Sequence, residues 1–209
     1  SIANALPIVR KEIAATKKKK AVERSSIDQR IDYRWIDLRT DENQLMFKAQ
    51  SCFVNAMRKF LLDRNFIEIH TPKLIAAASE SGSEVFKVDY FDRNAYLAQS
   101  PQFYKQMAMA AGFERIFETG PVFRAEKSYT NKHSTEFSGF DLEFSYITSY
   151  KDVMKMEEEL LTAGLQAVKD NYGDQIKEMF GQEVIVPTTP FPVVKLADLY
   201  KGLEEEFGY

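Results

Sequence analysis

Apolar and polar residues alternate most plainly between Phe113 and Tyr146, which reads as two strands joined by a polar loop. Phe123 and Arg124 close the first strand, and Phe140, Leu142, Phe144 and Tyr146 mark the second. The segment between them, Lys127 to Glu136, is far longer than a tight turn requires, and Tyr129 is its only apolar anchor. A long polar loop carried on a rigid sheet is where binding and catalytic residues concentrate. Upstream the period changes. Met46, Ala49, Phe53, Met57, Phe60 and Leu61 recur at helical spacing, so a helix capped by Thr40 runs to about Asn65, with Asp41 and Glu42 in its first turn. Phe66 to His70 alternates as a strand and leads into Thr71-Pro72-Lys73-Leu74.

The remaining elements follow from the same two periods. Arg30 to Arg39 crowds arginines and acids around Tyr33, Trp35 and Ile36 and reads as an ordered arm packed by ion pairs. Leu74 to Phe86 is a small-residue loop, and Val85 to Ala98 a hairpin turning near Asp92-Arg93-Asn94. Ser100-Pro101 opens a helix that ends at Gly112. Ser149 and Asp152 resemble a capping box, and Val153, Met156, Leu160, Leu161, Leu165 and Val168 give an amphipathic helix ending near Gly173. Pro187 to Leu196 is extended, and Ala197 to Phe207 is a short helix.

Composition narrows the picture in a few places. A chain of 209 residues suits one domain with a good core. The net charge of -3 means that any nucleic-acid contact must come from local basic patches. Cys52 is the single cysteine, which excludes an internal disulfide, and its apolar helical setting makes it a core residue. No apolar run approaches the ~18 residues of a membrane span, SIANALPIVRKEI lacks a signal-peptide pattern, and there is no internal repeat. The Lys17–Lys20 run reads as a solvated segment.

Candidate chemistry gathers on the long hairpin. Arg124 can fork onto a phosphate or carboxylate. Glu126, two residues on and on the same face, can hold that arginine or bind an amino group or a metal, and Lys132 and His133 add donors suited to a polyphosphate. Asp141 and Glu143 share one face of the returning strand, opposite its aromatic face. Taken together, F-R-A-E, a basic loop ending in H-x-T-E-F, and G-F-D-L-E resemble motif 2 of the class II aminoacyl-tRNA synthetases, in detail the aspartyl branch of archaeal and eukaryotic type. HTPKLIAAASESGSEVF and AYLAQSPQFYKQMAMAAGFERIFETGPVFRAE extend the resemblance, which runs from about Ile31 to Leu203.

The resemblance implies an α+β fold: the class II catalytic antiparallel sheet flanked by helices. It implies a lead-in over residues 1–30 and a partial catalytic domain over 31–209. The family's motif 1 corresponds to the Thr40 helix through Pro72 and would build a homodimer interface with Pro72 at its seam. Ser79 and Glu80 would lie on a lid closing over L-aspartate, Gln102 would hydrogen-bond it, and Lys105 would pair with its side-chain carboxylate. Arg124 would bridge the substrate carboxylate and the α-phosphate of ATP, the catalytic role, with Glu126 on the adenine or on Arg124. Lys132, His133 and Ser134 would grip the outer phosphates, and Phe137 would stack on adenine. Asp141 would take the aspartate amino group, and Glu143 would be a candidate ligand for Mg2+. Ser128 and Thr130, at the loop tip, would approach the acceptor end of tRNA(Asp), where single-stranded bases are read, and the Lys17–Lys20 run is a second candidate for the tRNA backbone. The family usually carries arginine at position 132 and a glycine at position 81. The chain holds no G-x-G-x-G-x-E-R string, so motif 3 and the preceding anticodon-binding domain are expected to be missing, leaving a cytoplasmic enzyme fragment inactive alone. Two other readings fit the same residues: a synthetase-derived asparagine synthetase, and a non-catalytic dimerisation or tRNA-binding fragment.

Overall fold

In the computed structural model, residues 25–77, 85–127, 130 and 132–208 are described. Ser79, Glu80, Ser128 and the Lys17–Lys20 run lie outside them. The elements are α1 (Ile27–Asp32), α2 (Arg34–Asp37), α3 (Asp41–Leu62), β1 (Ile67–Glu68), β2 (Leu74–Ile75), β3 (Lys87–Tyr90), β4 (Arg93–Leu97), α4 (Gln102–Ala110), β5 (Arg115–Phe123), β6 (Glu136–Phe144), α5 (Tyr150–Phe180) and α6 (Leu196–Phe207). No helix among the described residues is long and apolar enough to cross a membrane. Contacts divide the chain into two units: residues up to Ala56 with Leu161–Thr188, and Met57–Leu160 with the residues from Thr189 onward.

In the first unit the arginine-rich arm is helical, and its ion pairs are internal. Asp37, 1% exposed, receives Arg30 Nε at 2.8 Å and a short contact from Arg34. The Arg30 hydrogen bond is the main reason that the Asp37 carboxyl sits below the usual carboxylate range. Its carbonyl accepts from Thr40 Oγ1 at 2.9 Å and Asn43 Nδ2 at 2.8 Å. Thr40 Oγ1 in turn accepts the Asn43 N–H at 3.4 Å, the cap expected for α3. Cys52 is half-buried and donates to the Ala167 carbonyl at 3.5 Å.

The second unit holds two three-stranded sheets, ordered β1-β5-β6 and β2-β4-β3. The long hairpin is antiparallel and in register from Arg115↔Phe144 to Phe123↔Glu136. The expected antiparallel sheet is found there and in β2-β4-β3, whereas β1, reduced to two residues, pairs with β5 in parallel. The long connection through β2, β3, β4 and α4 permits this, since parallel neighbours need a crossover. Phe66 meets Phe144 edge-on at 6.0 Å and Phe117 stacks on Phe140 at 5.8 Å, packing one face of the hairpin. Ala98 ties the sheets together: its N–H donates to Lys73 O and its carbonyl accepts from Phe123 N, both at 2.9 Å.

One helix outruns its sequence reading. Asp152 accepts from the Thr148 and Ser149 N–H groups and starts α5 as the capping pattern predicts. The helix then continues through Gly173 to Phe180, and Gly181 at φ +67° ends it. A lone helical glycine costs only about 1 kcal/mol against alanine, less than the following turns return.

Candidate active site

Residues directly opposite in an antiparallel pair share a face, and alternate residues along a strand do too. The pairs Ile116↔Glu143, Glu118↔Asp141, Gly120↔Gly139 and Val122↔Phe137 therefore line one face of the hairpin. Arg124 continues the same alternation just past β5, its N–H bonded to Thr135 O at 3.0 Å. The sheet thus arranges a strip with an arginine and a phenylalanine at one end, two bare glycines in the middle and three carboxylates at the other.

Helix α4 covers the carboxylate end. Ser100 Oγ accepts the Gln102 N–H at 3.4 Å, although the residue at the cap position proper is Pro101, one beyond the expected Ser100. Lys105 is 4% exposed and turns inward, making a short contact to Asp141 and a 3.3 Å pair with Glu143. Met109, one turn further on, accepts from Ser145 Oγ at 3.2 Å. Gln102 is half-buried at the start of the same helix. A lysine read from sequence as a substrate ligand is thus the cation of a three-residue cluster with Asp141 and Glu143.

At the other end, the Arg124 guanidinium carbon lies 5.8 Å from the centre of the Phe137 ring, which is 40% exposed. Thr130 Oγ1 and His133 Nδ1 are 2.6 Å apart, and the His133 N–H donates to Thr130 O at 3.3 Å, folding the loop onto itself. Lys132, His133, Ser134, Glu126 and Thr130 are exposed. Pro72, after β1, is exposed as well. The structure therefore brings Lys105, Asp141 and Glu143 into contact and Arg124 beside Phe137. It leaves Glu126 and the described residues of the polar loop open to solvent.

Sequence reasoning missed Glu118 and Lys73. Glu118 is 3% exposed; it accepts from the Thr71 N–H at 2.9 Å and Thr71 Oγ1 at 2.7 Å, and pairs with Lys73 Nζ at 2.9 Å. Burial pushes this carboxyl upward, but the bonds from Thr71 and Lys73 outweigh it and hold it below the usual range. The signal lay in the alternation itself: Glu118 shares the site face with Arg124, three steps of two along the strand. As for a divalent cation, both Asp141 and Glu143 are engaged by Lys105, and no group of three His, Cys, Asp or Glu side chains among the described residues stands close enough to hold one. The residues present do not by themselves fit Mg2+.

A hairpin with an arginine at its outer end, covered by a helix that aims a lysine at the sheet, is the arrangement that the resemblance to the class II synthetases implies. Residues 26–205 match the family of class II tRNA synthetases (D, K and N), and the chain belongs to that family. It is 46% identical over 189 residues to the aspartate–tRNA(Asp/Asn) ligase of Methanopyrus kandleri, covering 88% of this chain and 44% of that one. It is 46% identical over 166 residues to the cytoplasmic aspartate–tRNA ligase of Caenorhabditis elegans, covering 79% and 31% respectively. Among solved structures, asparaginyl-tRNA synthetase from Pyrococcus horikoshii complexed with asparaginyl-adenylate matches with a TM-score of 0.81 at 33% identity, over 88% of this chain and 42% of that one. Aspartyl tRNA synthetase from Entamoeba histolytica matches with a TM-score of 0.72 at 35% identity, over 90% and 36%. The chain spans less than half the length of these relatives. The α+β class II fold expected from the sequence is thereby established.

Proposed function

We propose that the protein to which this chain belongs is an aspartate–tRNA ligase, which activates L-aspartate with ATP and transfers it to tRNA(Asp). The observation that carries this is Lys105, a buried cation held over the acidic end of the strip, where a side-chain carboxylate of the substrate can meet it. An amide at the same place would gain far less from an ammonium, which favours aspartate over the asparagine of some solved relatives. The ligase names of the curated relatives agree with this choice.

In this reading residues 31–209 are part of the catalytic domain, preceded by a lead-in over 1–30. Arg124 bridges the aspartate α-carboxylate and the α-phosphate of ATP. A carboxylate oxygen attacks phosphorus in line, the bond to the bridging oxygen breaks, and pyrophosphate leaves with the electron pair. The charge that grows on the α-phosphate is met by a guanidinium already in place. Phe137, beside Arg124, offers its open face to the adenine, and Glu126 its carboxylate to the adenine amino group. Lys132, His133 and Ser134 reach the outer phosphates, with Lys132 as a point charge rather than a fork. Asp141 takes the aspartate amino group, Gln102 hydrogen-bonds the amino acid, and Ser79 and Glu80 close over it. The terminal hydroxyl of the tRNA then attacks the aspartyl carbonyl and AMP leaves, with Ser128 and Thr130 near the acceptor end. Mg2+ enters with the nucleotide, and no step here depends on a protein site for it. The enzyme is cytoplasmic and pairs as a homodimer through the Thr40 helix and the exposed Pro72.

The test is aspartate-dependent pyrophosphate exchange by the full-length protein. Arg124→Ala should lower it roughly a hundredfold or more, as loss of one donor to a developing oxyanion does. Activity within a few-fold of the unaltered protein would remove Arg124 from the chemistry.

A further inference from the structure

Glu118 and Lys73 fall outside every role assigned above, yet they lie on the site face. Glu118 stands directly opposite Asp141 in the hairpin register. Its carboxylate is buried and would be costly there without partners. Three donors converge on it, two from Thr71 and one from Lys73. The result is a fixed position for Lys73, whose stem crosses the sheet above Gly120: a Cβ placed on that glycine would lie 3.6 Å from Lys73 Cε and 3.8 Å from Nζ.

What lies beside the ammonium is a narrow cleft lined by Lys73, Pro101, Glu118, Gly120, Gly139 and Asp141, among others. Its floor is the Gly120↔Gly139 pair, a stretch of sheet without side chains between Arg124 and Asp141. An ammonium has three N–H donors, and Glu118 and Thr71 Oγ1, the latter at 3.2 Å, take two. The Lys73 side chain remains 22% exposed although Glu118 is sealed in, so the cation keeps a face open to solvent while its counter-ion does not.

We propose that Lys73 is a second carboxylate-binding residue of the amino-acid cleft, held in place by Glu118, which acts as a positioning residue. The proposal rests on the reading of the site as one for an acidic amino acid. Lys73 meets a carboxylate oxygen of bound aspartate beside Lys105. Glu118 touches no substrate and works by fixing the Thr71–Lys73 segment.

The full-length protein decides it, with pyrophosphate exchange measured as KM for aspartate and for ATP separately. Lys73→Met should raise the aspartate KM about tenfold or more, the effect of losing one charge-assisted bond, with the ATP KM unchanged, and Lys73→Arg should restore most of the loss. Glu118→Gln keeps the size and one acceptor for the Thr71 N–H but removes the charge that holds Lys73, and should shift the aspartate KM in the same direction. A second readout is labelling of Lys73 by acetic anhydride followed by mass spectrometry: aspartate should protect the amine and ATP alone should not. This measurement stands even where Lys73→Met does not fold. An aspartate KM within twofold in Lys73→Met, a parallel rise in both KM values, or labelling indifferent to aspartate would each overturn the proposal while leaving the Arg124 chemistry intact. Absence of aspartate-dependent exchange in the unaltered protein would overturn the broader reading, and the role of Lys73 with it.

Discussion

Replacing Lys105 by leucine isolates the cluster on which the amino-acid end is built. The side chain is 6% exposed, while those of Asp141 and Glu143 are 32% and 33% exposed. Removing one partner of a fully buried ion pair costs roughly 3–5 kcal/mol, and losing an exposed pair less than about 1 kcal/mol. With the cation sealed and the acids about one-third open, the cost should lie between these, about 2 kcal/mol after leucine restores apolar packing. Part of that is repulsion. Asp141 and Glu143 both reach Lys105 Nζ, so their charged oxygens lie within about 6 Å of each other, and two carboxylates at that distance repel by roughly 1 kcal/mol. Asp141→Asn should therefore rescue much of the damage. In urea unfolding followed by circular dichroism, the two single variants and the double variant form a cycle, and the double should be more stable than the sum of the singles predicts by about 1–2 kcal/mol. Thermal melting should show Lys105→Leu down by roughly 4–8 °C for a chain of this size. Additivity within about 0.5 kcal/mol would show that Lys105 and Asp141 do not act as a pair, and the argument for a preformed cation site would fail with it.

Asp37→Asn should destabilise by roughly 1.5–3 kcal/mol near neutral pH, since charge-assisted bonds from Arg30 and Arg34 are lost in a buried place. The native carboxyl is held below its ordinary value, so its contribution is full above about pH 4 and disappears as pH falls through the lower native value; the gap between the two proteins in chemical denaturation should close in acid. Gly173→Ala should stabilise by about 0.5–1 kcal/mol, because the position is inside α5 and the new methyl would meet only Lys169 Cγ at an ordinary 3.6 Å; a loss of stability would mean that the glycine serves something other than the helix. Sedimentation at micromolar concentration should find the protein paired, and a monomer throughout that range would exclude the Thr40–Pro72 interface.

Most of the fold was legible because local signals and tertiary packing agree. Thr40 is followed by two acids and a clean helical stripe, and α3 begins where they place it. The alternation from Phe113 to Tyr146 gave a hairpin whose turn had no short solution, and both strands lie inside it. The misreadings occur where a local signal was real but weaker than its context. Gly173 looked like a stop, yet one missing methyl does not outweigh two further turns of helix. The stretch from Phe66 to His70 alternates correctly, but the paired strand is reduced to Ile67 and Glu68, with one further bond from the Ile69 N–H to Phe117 O of β5.

The site divides along the same line, and the reason is burial. Exposed polar residues such as Thr130, Lys132, His133 and Ser134 stand out in a sequence because polar clusters there interrupt apolar patterning. Buried charges carry no such mark. Glu118 lies in a strand flanked by Phe117 and Thr119 and reads as an outward-facing acid, because alternation says which face a residue takes but not what covers that face. Only α4 and the Thr71–Lys73 segment, brought over the hairpin from elsewhere in the chain, turn that face inward. Once it is covered, its acids cannot stand alone, and each must find a cation: Lys73 for Glu118, and Lys105 for Asp141 and Glu143. The lysine after Pro72 is thus fixed by the cost of burying Glu118 beneath it, while the helix lysine, itself buried, is matched by the half-open Asp141 and Glu143. That requirement places two ammonium groups at the carboxylate end of a bare glycine floor.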